Sequence, residues 1–332
     1  MVKVGVIGTG GMGSRHVRNL HRYTPAEVVA VMDLDRTRAE AAVNFIPGCA
    51  VYTDAGALIE DPQVEAVVIA SPDPFHASTA LRCIAAGKPT LCEKPLATTL
   101  DDARKVLDAE VAYGKRLMML AFMREYDPAH RALKDAAERG DLGDLLMMRG
   151  THTGYADPHP RTTADVIVNS AIHDIHSARW LLQQEVEQVY VRRVVSDSAR
   201  PETCRLLVTH LTFANGSLGV LEMNTESGFG YQVDVELTGS LGAARTARAS
   251  APTMRLAGRE FQTIDDDWLI RFDQAYILEV QAWVQSLIEG LPTGPSTWDG
   301  YAAMVVADAC IKSAEAGAPQ AVPELQRPSI YA

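Results

Sequence analysis

The sequence predicts a two-part α/β protein: a doubly wound parallel sheet, followed by an α+β domain on a mostly antiparallel sheet. Three observations carry this. A glycine fingerprint, Gly8-Thr9-Gly10-Gly11-Met12-Gly13, follows an apolar strand and opens a helix at the start of the chain. Short apolar runs then alternate with helical patterns as far as about residue 120. Beyond about residue 145 the runs lengthen and alternate with period two, the mark of strands with one covered face.

The first strand is the run Val2-Lys3-Val4-Gly5-Val6-Ile7, and a helix is predicted after it over 14–23. Apolar runs at 28–32, 64–70, 90–92 and 117–121 supply further strands. The helical pattern over 77–86 stops at Gly87; the one over 100–113 starts behind Thr99, places Asp101 and Asp102 in its first turn and stops at Gly114. Strand and helix in strict alternation imply parallel pairing. In the second part, Asn215-Gly216 signals a hairpin joining 206–213 to 218–223, and Val233, Val235 and Leu237 alternate with Asp234 and Glu236. A helix over 164–182 carries Asn169, His173 and His176, and helices over 272–288 and 301–316 are each followed by a glycine. The interval 244–267 has no firm assignment.

A chain of 332 residues can bury two cores, and 47% hydrophobic with 22% charged residues is ordinary globular composition. The net charge of −11 argues against broad attraction to nucleic acid or anionic lipid. Met1 leads directly into the first strand, and no apolar run reaches membrane-spanning length, so a soluble, cytoplasmic protein is expected. The five cysteines are scattered, without a C-x-x-C pair, and read as reduced; Cys92 reads as a small strand residue rather than a nucleophile. No metal site is expected, because His173 and His176 lack a well-spaced third ligand.

In the fingerprint, the first glycine permits a tight turn, the second lets the backbone approach a pyrophosphate and the third lets helix and strand pack closely. Asp33 ends the second strand, where a carboxylate accepts ribose hydroxyls and repels a 2′-phosphate, so NAD is expected over NADP. Arg36 and Arg38 read as an exposed helix face. Ser71 and Pro72 follow the next strand and should line the nicotinamide half; His76 reads equally as a cofactor contact or as a helix-starting residue. Glu93-Lys94-Pro95 closes the strand at 90–92, where an ammonium can polarise a substrate hydroxyl.

Together the fingerprint, Ser71-Pro72 with His76, Glu93-Lys94-Pro95 and the His173 helix resemble the glucose-fructose oxidoreductase / inositol dehydrogenase (GFO/IDH/MocA) family over nearly the whole chain. Phe122-Met123-Arg124-Glu125-Tyr126-Asp127, the run 130–143 and Asn169-Ser170-Ala171-Ile172-His173-Asp174-Ile175-His176 are similar to its inositol dehydrogenase branch. The resemblance implies an NAD-binding Rossmann domain over 1–121. It also implies a substrate-binding and oligomerisation α+β domain over 122–332, open-faced, with C-terminal helices packed back on the first domain. Assembly as a homodimer or homotetramer through the large sheet would follow.

The same resemblance makes Lys94 and His173 catalytic, with Glu93 beside the cofactor. The chemistry agrees: oxidising a secondary alcohol needs a hydride acceptor and a base, and an ammonium stabilises the developing alkoxide. Asn169 stands where inositol dehydrogenases usually carry an aspartate; it can orient the imidazole but adds no charge. His176 replaces a common acid, and Glu125 replaces a common base. With Asp157 and Asp165, Glu125 would put negative charge near the substrate mouth and favour a cationic amino sugar or aminocyclitol; solvated loop acids are an equal alternative. Arg124, His152, Tyr155, Tyr231 and Tyr276 are further pocket candidates. The expected activity is NAD-dependent oxidation of a ring hydroxyl of a cyclitol, sugar or amino sugar. An NAD-retaining redox glycosidase and a non-catalytic NAD-responsive regulator compete with it.

Overall fold

The apolar runs of the first part become six strands: β1 (Lys3–Ile7), β2 (Glu27–Met32), β3 (Ala50–Tyr52), β4 (Ala66–Ile69), β5 (Thr90–Cys92) and β6 (Met118–Leu120). They pair in parallel in the order β3-β2-β1-β4-β5-β6. Helices α1 (Gly11–Tyr23), α2 (Arg36–Ala42), α3 (Ala55–Glu60), α4 (His76–Ala85) and α5 (Leu100–Tyr113) connect them. The computed structural model describes residues 1–155, 161–246, 253–265 and 267–332.

All four residues of β4 are buried, which is why this sheet reads as unbroken apolar runs rather than as alternation. Helix α1 begins at Gly11, earlier than predicted, so the last glycines of the fingerprint form its first turn, with no side-chain cap at Gly10. Thr99 caps α5 by accepting from the Asp102 N–H, and Gly114 closes it in left-handed backbone at φ 80°.

The second part is built on seven strands: β7 (Leu145–Tyr155), β8 (Val186–Val194), β9 (Leu206–Phe213), β10 (Leu218–Ser227), β11 (Gln232–Gly239), β12 (Ala243–Arg245) and, later in the chain, a short strand at Gln320–Ala321. Their order is β12-β11-β7-β10-β9-β8 and then the short strand. Among the described residues of this sheet, only β7 and β10 pair in parallel. The Asn215-Gly216 turn joins β9 to β10, with Gly216 at φ 83° and Asn215 Oδ1 accepting from the Ser217 N–H and hydroxyl. Leu207, Leu211 and Phe213 of β9 and Val233, Val235 and Leu237 of β11 form the buried side. The interval left unassigned contains a small hairpin, β13 (Met254–Leu256) with β14 (Arg259–Phe261).

The helices of this part are α6 (Pro128–Glu138), α7 (Thr163–Val166), α8 (Ile172–Leu182) and α9 (Trp268–Arg271), followed by α10 (Asp273–Glu289) and α11 (Thr297–Ala316). The single helix predicted over 164–182 is interrupted. A π turn, Ile167–Ala171, separates α7 from α8, and the Ile172 N–H bonds the Ile167 carbonyl five residues back. This wider turn carries Asn169.

The chain divides into two compact units. The first comprises Met1–Met123, Tyr276–Met304 and Leu325–Ala332, and the second Arg124–Ala275 and Val305–Glu324. Within the first, the Leu120 N–H donates to the Pro295 carbonyl at 2.9 Å, and Arg116 Nη2 donates to those of Thr293 and Gly294 at 2.6 and 2.5 Å. The tail is tied by the Tyr331 hydroxyl donating to Glu110, whose other oxygen accepts from the Leu117 and Met118 N–H groups. No helix among the described residues is long and apolar enough to cross a membrane.

Candidate active site

In the first unit, the predicted cofactor residues gather at the carboxyl edge of the parallel sheet. Gly8 follows β1 at φ 87°, and a Cβ there would strike the Ala70 backbone; a Cβ on Gly13 would run into the Gly8 carbonyl. Those two glycines are therefore demanded by the protein's own chain. Gly10 and Gly11 are different: a Cβ on either meets no atom within 4 Å. Gly10 lies at the α1 N terminus, where uncapped N–H groups and the helix dipole suit an anion, so its bare backbone fits close approach by a pyrophosphate. Thr9 and Met12 complete the turn, and the Ser14 hydroxyl donates to the Thr9 carbonyl at 2.8 Å.

Asp33, just past β2, accepts from the Thr9 N–H and hydroxyl on one oxygen, both at 2.9 Å, and from the Asp35 N–H on the other at 3.0 Å. Arg38 is not simply an exposed helix residue: its Nη1 stands 3.4 Å from that second oxygen. Arg36 does face outward, paired with Glu40. Burial pushes the Asp33 carboxyl up, but the Thr9 and Asp35 hydrogen bonds and the Arg38 charge hold it below the ordinary value. A fixed carboxylate therefore stands where ribose hydroxyls are expected.

Ser71 and Pro72 follow β4, and Glu93-Lys94-Pro95 follows β5. His76 starts α4 and is buried, with Nδ1 2.7 Å from the Pro95 carbonyl and Nε2 2.7 Å from the Ser71 carbonyl. Both ring nitrogens therefore face backbone carbonyls, one from the loop after β4 and one from the loop after β5. Glu93 is buried, and its Oε1 lies 2.8 Å from Nε2 of His16, a buried α1 residue that the sequence reading passed over. Burial raises the Glu93 carboxyl, but the His16 hydrogen bond and charge, with Lys94 and His76 nearby, bring it below its ordinary value. Lys94 is half-buried. Tyr276 belongs to this unit, its ring 5.5 Å from the Arg15 guanidinium of α1.

The second unit brings Arg124, His152 and Tyr231 together around a residue not singled out from the sequence, Asp174. Arg124 Nη1 donates to Asp174 Oδ1 at 2.5 Å, and Asp174 Oδ2 lies 2.8 Å from His152 Nδ1. A carboxylate only accepts, so His152 carries its proton on Nδ1. Arg124 Nη2 lies 3.1 Å from the same nitrogen, but two donors cannot bond each other, and Asp174 is what holds both. The Tyr231 hydroxyl then donates to His152 Nε2 at 3.1 Å. Register explains the meeting: Val233 pairs with His152, and Tyr231, two residues earlier, leans onto it with its ring edge-on. Burial pushes the Asp174 carboxyl up, but the Arg124 charge and the hydrogen bonds from Arg124 and His152 bring it down to about 2, while burial pushes the Tyr231 phenol up to about 12.

His173 and His176 are buried on α8, and Asn169 lies in the π turn before it. His176 Nε2 stands 2.8 Å from Glu125 Oε1. Glu125 and His176, expected separately near the substrate, thus form a single pair. Asp165 is the N3 residue of a capping box, its carboxylate accepting from the Thr162 hydroxyl at 2.6 Å. Two of the three acids expected at the mouth are committed to protein partners. Asp157 lies outside the described residues, and Tyr155 is the last residue of β7. Lys94 and His173 belong to different units. Among the described residues no group of three metal-ligating side chains could hold an ion.

Residues 2–121 match an oxidoreductase family with an NAD-binding Rossmann fold, and residues 130–245 match the GFO/IDH/MocA C-terminal domain. The chain belongs to the GFO/IDH/MocA family. As a member it is an NAD-dependent oxidoreductase with the Rossmann sheet order described above. It is 47% identical to an inositol 2-dehydrogenase of Rubrobacter xylanophilus over 99% of this chain and 96% of that one. It is 40% identical to inositol 2-dehydrogenase 1 of Saccharopolyspora erythraea, over 99% of each. Its fold matches the crystal structure of myo-inositol dehydrogenase from Lactobacillus casei in complex with NAD(H) and myo-inositol, with a TM-score of 0.95, 32% identity and full coverage of both chains.

Proposed function

We propose that this protein oxidises a ring secondary hydroxyl of an inositol-type cyclitol to the ketone, with NAD as oxidant. The observation that carries the reading is the Arg124–Asp174–His152–Tyr231 cluster, in a chain alike over its full length to inositol dehydrogenases. Its imidazole and phenol offer neutral hydrogen-bonding groups suited to a polyol. Glu125 is paired with His176 and Asp165 caps a helix, so the reading is built on the cluster's neutral groups and not on these acids.

The fingerprint turn through Gly10 and the Asp33 carboxylate at the ribose would hold NAD, which would supply the hydride acceptor. His173 accepts the hydroxyl proton as the alkoxide develops, and the Lys94 ammonium stabilises that oxygen. Asn169 orients the imidazole without contributing charge, so Lys94 carries more of the electrostatic work than it would beside an aspartate. Assembly through the large sheet belongs to the same proposal; Leu218, about half exposed at 49%, and Val194, at 50%, lie on that sheet, and light scattering tests it.

The deciding experiment is NADH formation by the purified protein with myo-inositol, scyllo-inositol, free sugars, amino sugars and aminoglycosides. Turnover of inositols supports the proposal. Turnover confined to amino-bearing substrates would replace it with the cationic reading, and glycoside cleavage without net NADH would replace it with the redox glycosidase.

A further inference from the structure

We propose that His16 is a positioning residue for Lys94, acting through Glu93 so that the helix beneath the cofactor fingerprint also sets the catalytic turn. This rests on the reading of Lys94 as catalytic. His16 stands three residues past Gly13 on α1, fully buried, with Nε2 2.8 Å from Glu93 Oε1. Glu93 is the residue before Lys94, and Pro95, the residue after it, is gripped by His76 Nδ1 at its carbonyl. The tripeptide is thus pinned on both sides by histidines from two different helices, α1 and α4, while Lys94 between them stays half-buried.

The pairing is costly to build. Burying a carboxylate next to an apolar sheet is unfavourable unless it is bonded and charge-balanced, and well-packed apolar residues would stabilise the fold as well or better. A buried acid therefore needs a reason beyond packing. Its place beside Lys94 supplies one: a fixed carboxylate orients the peptide and holds the neighbouring amine as an ammonium. The α1 N terminus, where the fingerprint places a pyrophosphate, and His16 are carried on one rigid helix. Cofactor seat and lysine position are consequently set by the same element.

The test uses the full-length protein and two variants, His16→Leu and His16→Gln, the glutamine amide reproducing the Nε2–H donor. NAD affinity, measured by calorimetry, is expected to stay within about twofold in both, since His16 lies behind the cradle. With an inositol as substrate, kcat is expected to fall by about tenfold or more in His16→Leu and to recover to within about threefold of the parent in His16→Gln. A readout independent of turnover is acetylation of Lys94 by acetic anhydride, followed by peptide mass spectrometry against the exposed Lys115. Labelling should rise severalfold in His16→Leu alone, because a Glu93 freed from His16 protonates or turns away and no longer favours the ammonium.

Equal Lys94 labelling in all three proteins overturns the proposal, as does a glutamine variant no better than leucine. So does a parallel loss of NAD binding, which would make His16 part of the cofactor cradle. Absence of any cyclitol turnover in the parent would refute the functional reading instead, and the labelling would still decide the role of His16.

Discussion

Replacing Asp174 with asparagine removes the charge that two predicted pocket residues, Arg124 and His152, both bond. The carboxylate bonds Arg124 at 2.5 Å and His152 at 2.8 Å, and the Arg124 and Asp174 side chains are only 1% and 5% exposed. Two magnitudes frame the cost. Burial pushes the Asp174 carboxyl up, yet the Arg124 charge and the hydrogen bonds from Arg124 and His152 bring it to about 2 from 3.8, which corresponds to about 2 kcal/mol of stability at neutral pH. Removing one partner of a buried ion pair and stranding the other costs about 3–5 kcal/mol. A loss of about 2–5 kcal/mol is therefore expected, read as a lower urea midpoint at unchanged slope at pH 7.

The pH dependence has a definite sign. The folded value lies below the unfolded one, so the ionised group stabilises fully above pH 3.8 and loses that contribution as pH falls through about 2. The gap between parent and Asp174→Asn should narrow over that interval. The double variant Arg124→Met, Asp174→Leu should lose less than Asp174→Asn, because no charge is left stranded. A single-variant loss below about 1 kcal/mol, or a double variant that is worse, would refute the description of this cluster as a charge-coupled unit.

Other perturbations have expected outcomes. Asp33→Ser should weaken NAD about tenfold or more and narrow its advantage over NADP, since the Arg38 guanidinium 3.4 Å away is released toward a 2′-phosphate; dissociation constants for both cofactors check this. Lys94→Ala and His173→Ala should each lose about 100-fold or more in kcat, whereas Asn169→Asp should move the acid limb of the kcat/KM profile to higher pH by placing a carboxylate beside the imidazole. His176→Asp sets two carboxylates where Glu125 now faces a ring nitrogen at 2.8 Å, and should cut kcat/KM about tenfold; adding Glu125→Arg should restore most of it. Tyr331→Phe removes the hydroxyl bonded to Glu110 and should cost about 1–3 kcal/mol in chemical denaturation.

Local pattern made much of this molecule legible. The parallel sheet follows from apolar runs broken by capped helices, and Gly87 and Gly114 stop α4 and α5 at φ 66° and 80° because only glycine takes that backbone freely. Asn215-Gly216 fixes the β9–β10 hairpin and hence which side of each strand is buried. The fingerprint and Asp33 lie within one strand-helix-strand unit, so spacing alone was enough to locate them.

Tertiary structure decided what depends on residues far apart in sequence. Glu125 and His176 read as two separate anomalies until the fold set them 2.8 Å apart across 51 residues. Asp174 and His16 gave no signal of their own, because a residue next to a predicted catalytic histidine or one turn inside a helix has no local pattern that names its partner. The π turn around Asn169 was hidden for a related reason: helical periodicity absorbs one extra residue without a visible break. Sequence thus determined the elements and the cofactor seat, which local propensity and spacing encode. Which charges are free to meet a substrate, and which are spent on one another, was settled only when the chain brought distant side chains within hydrogen-bonding distance.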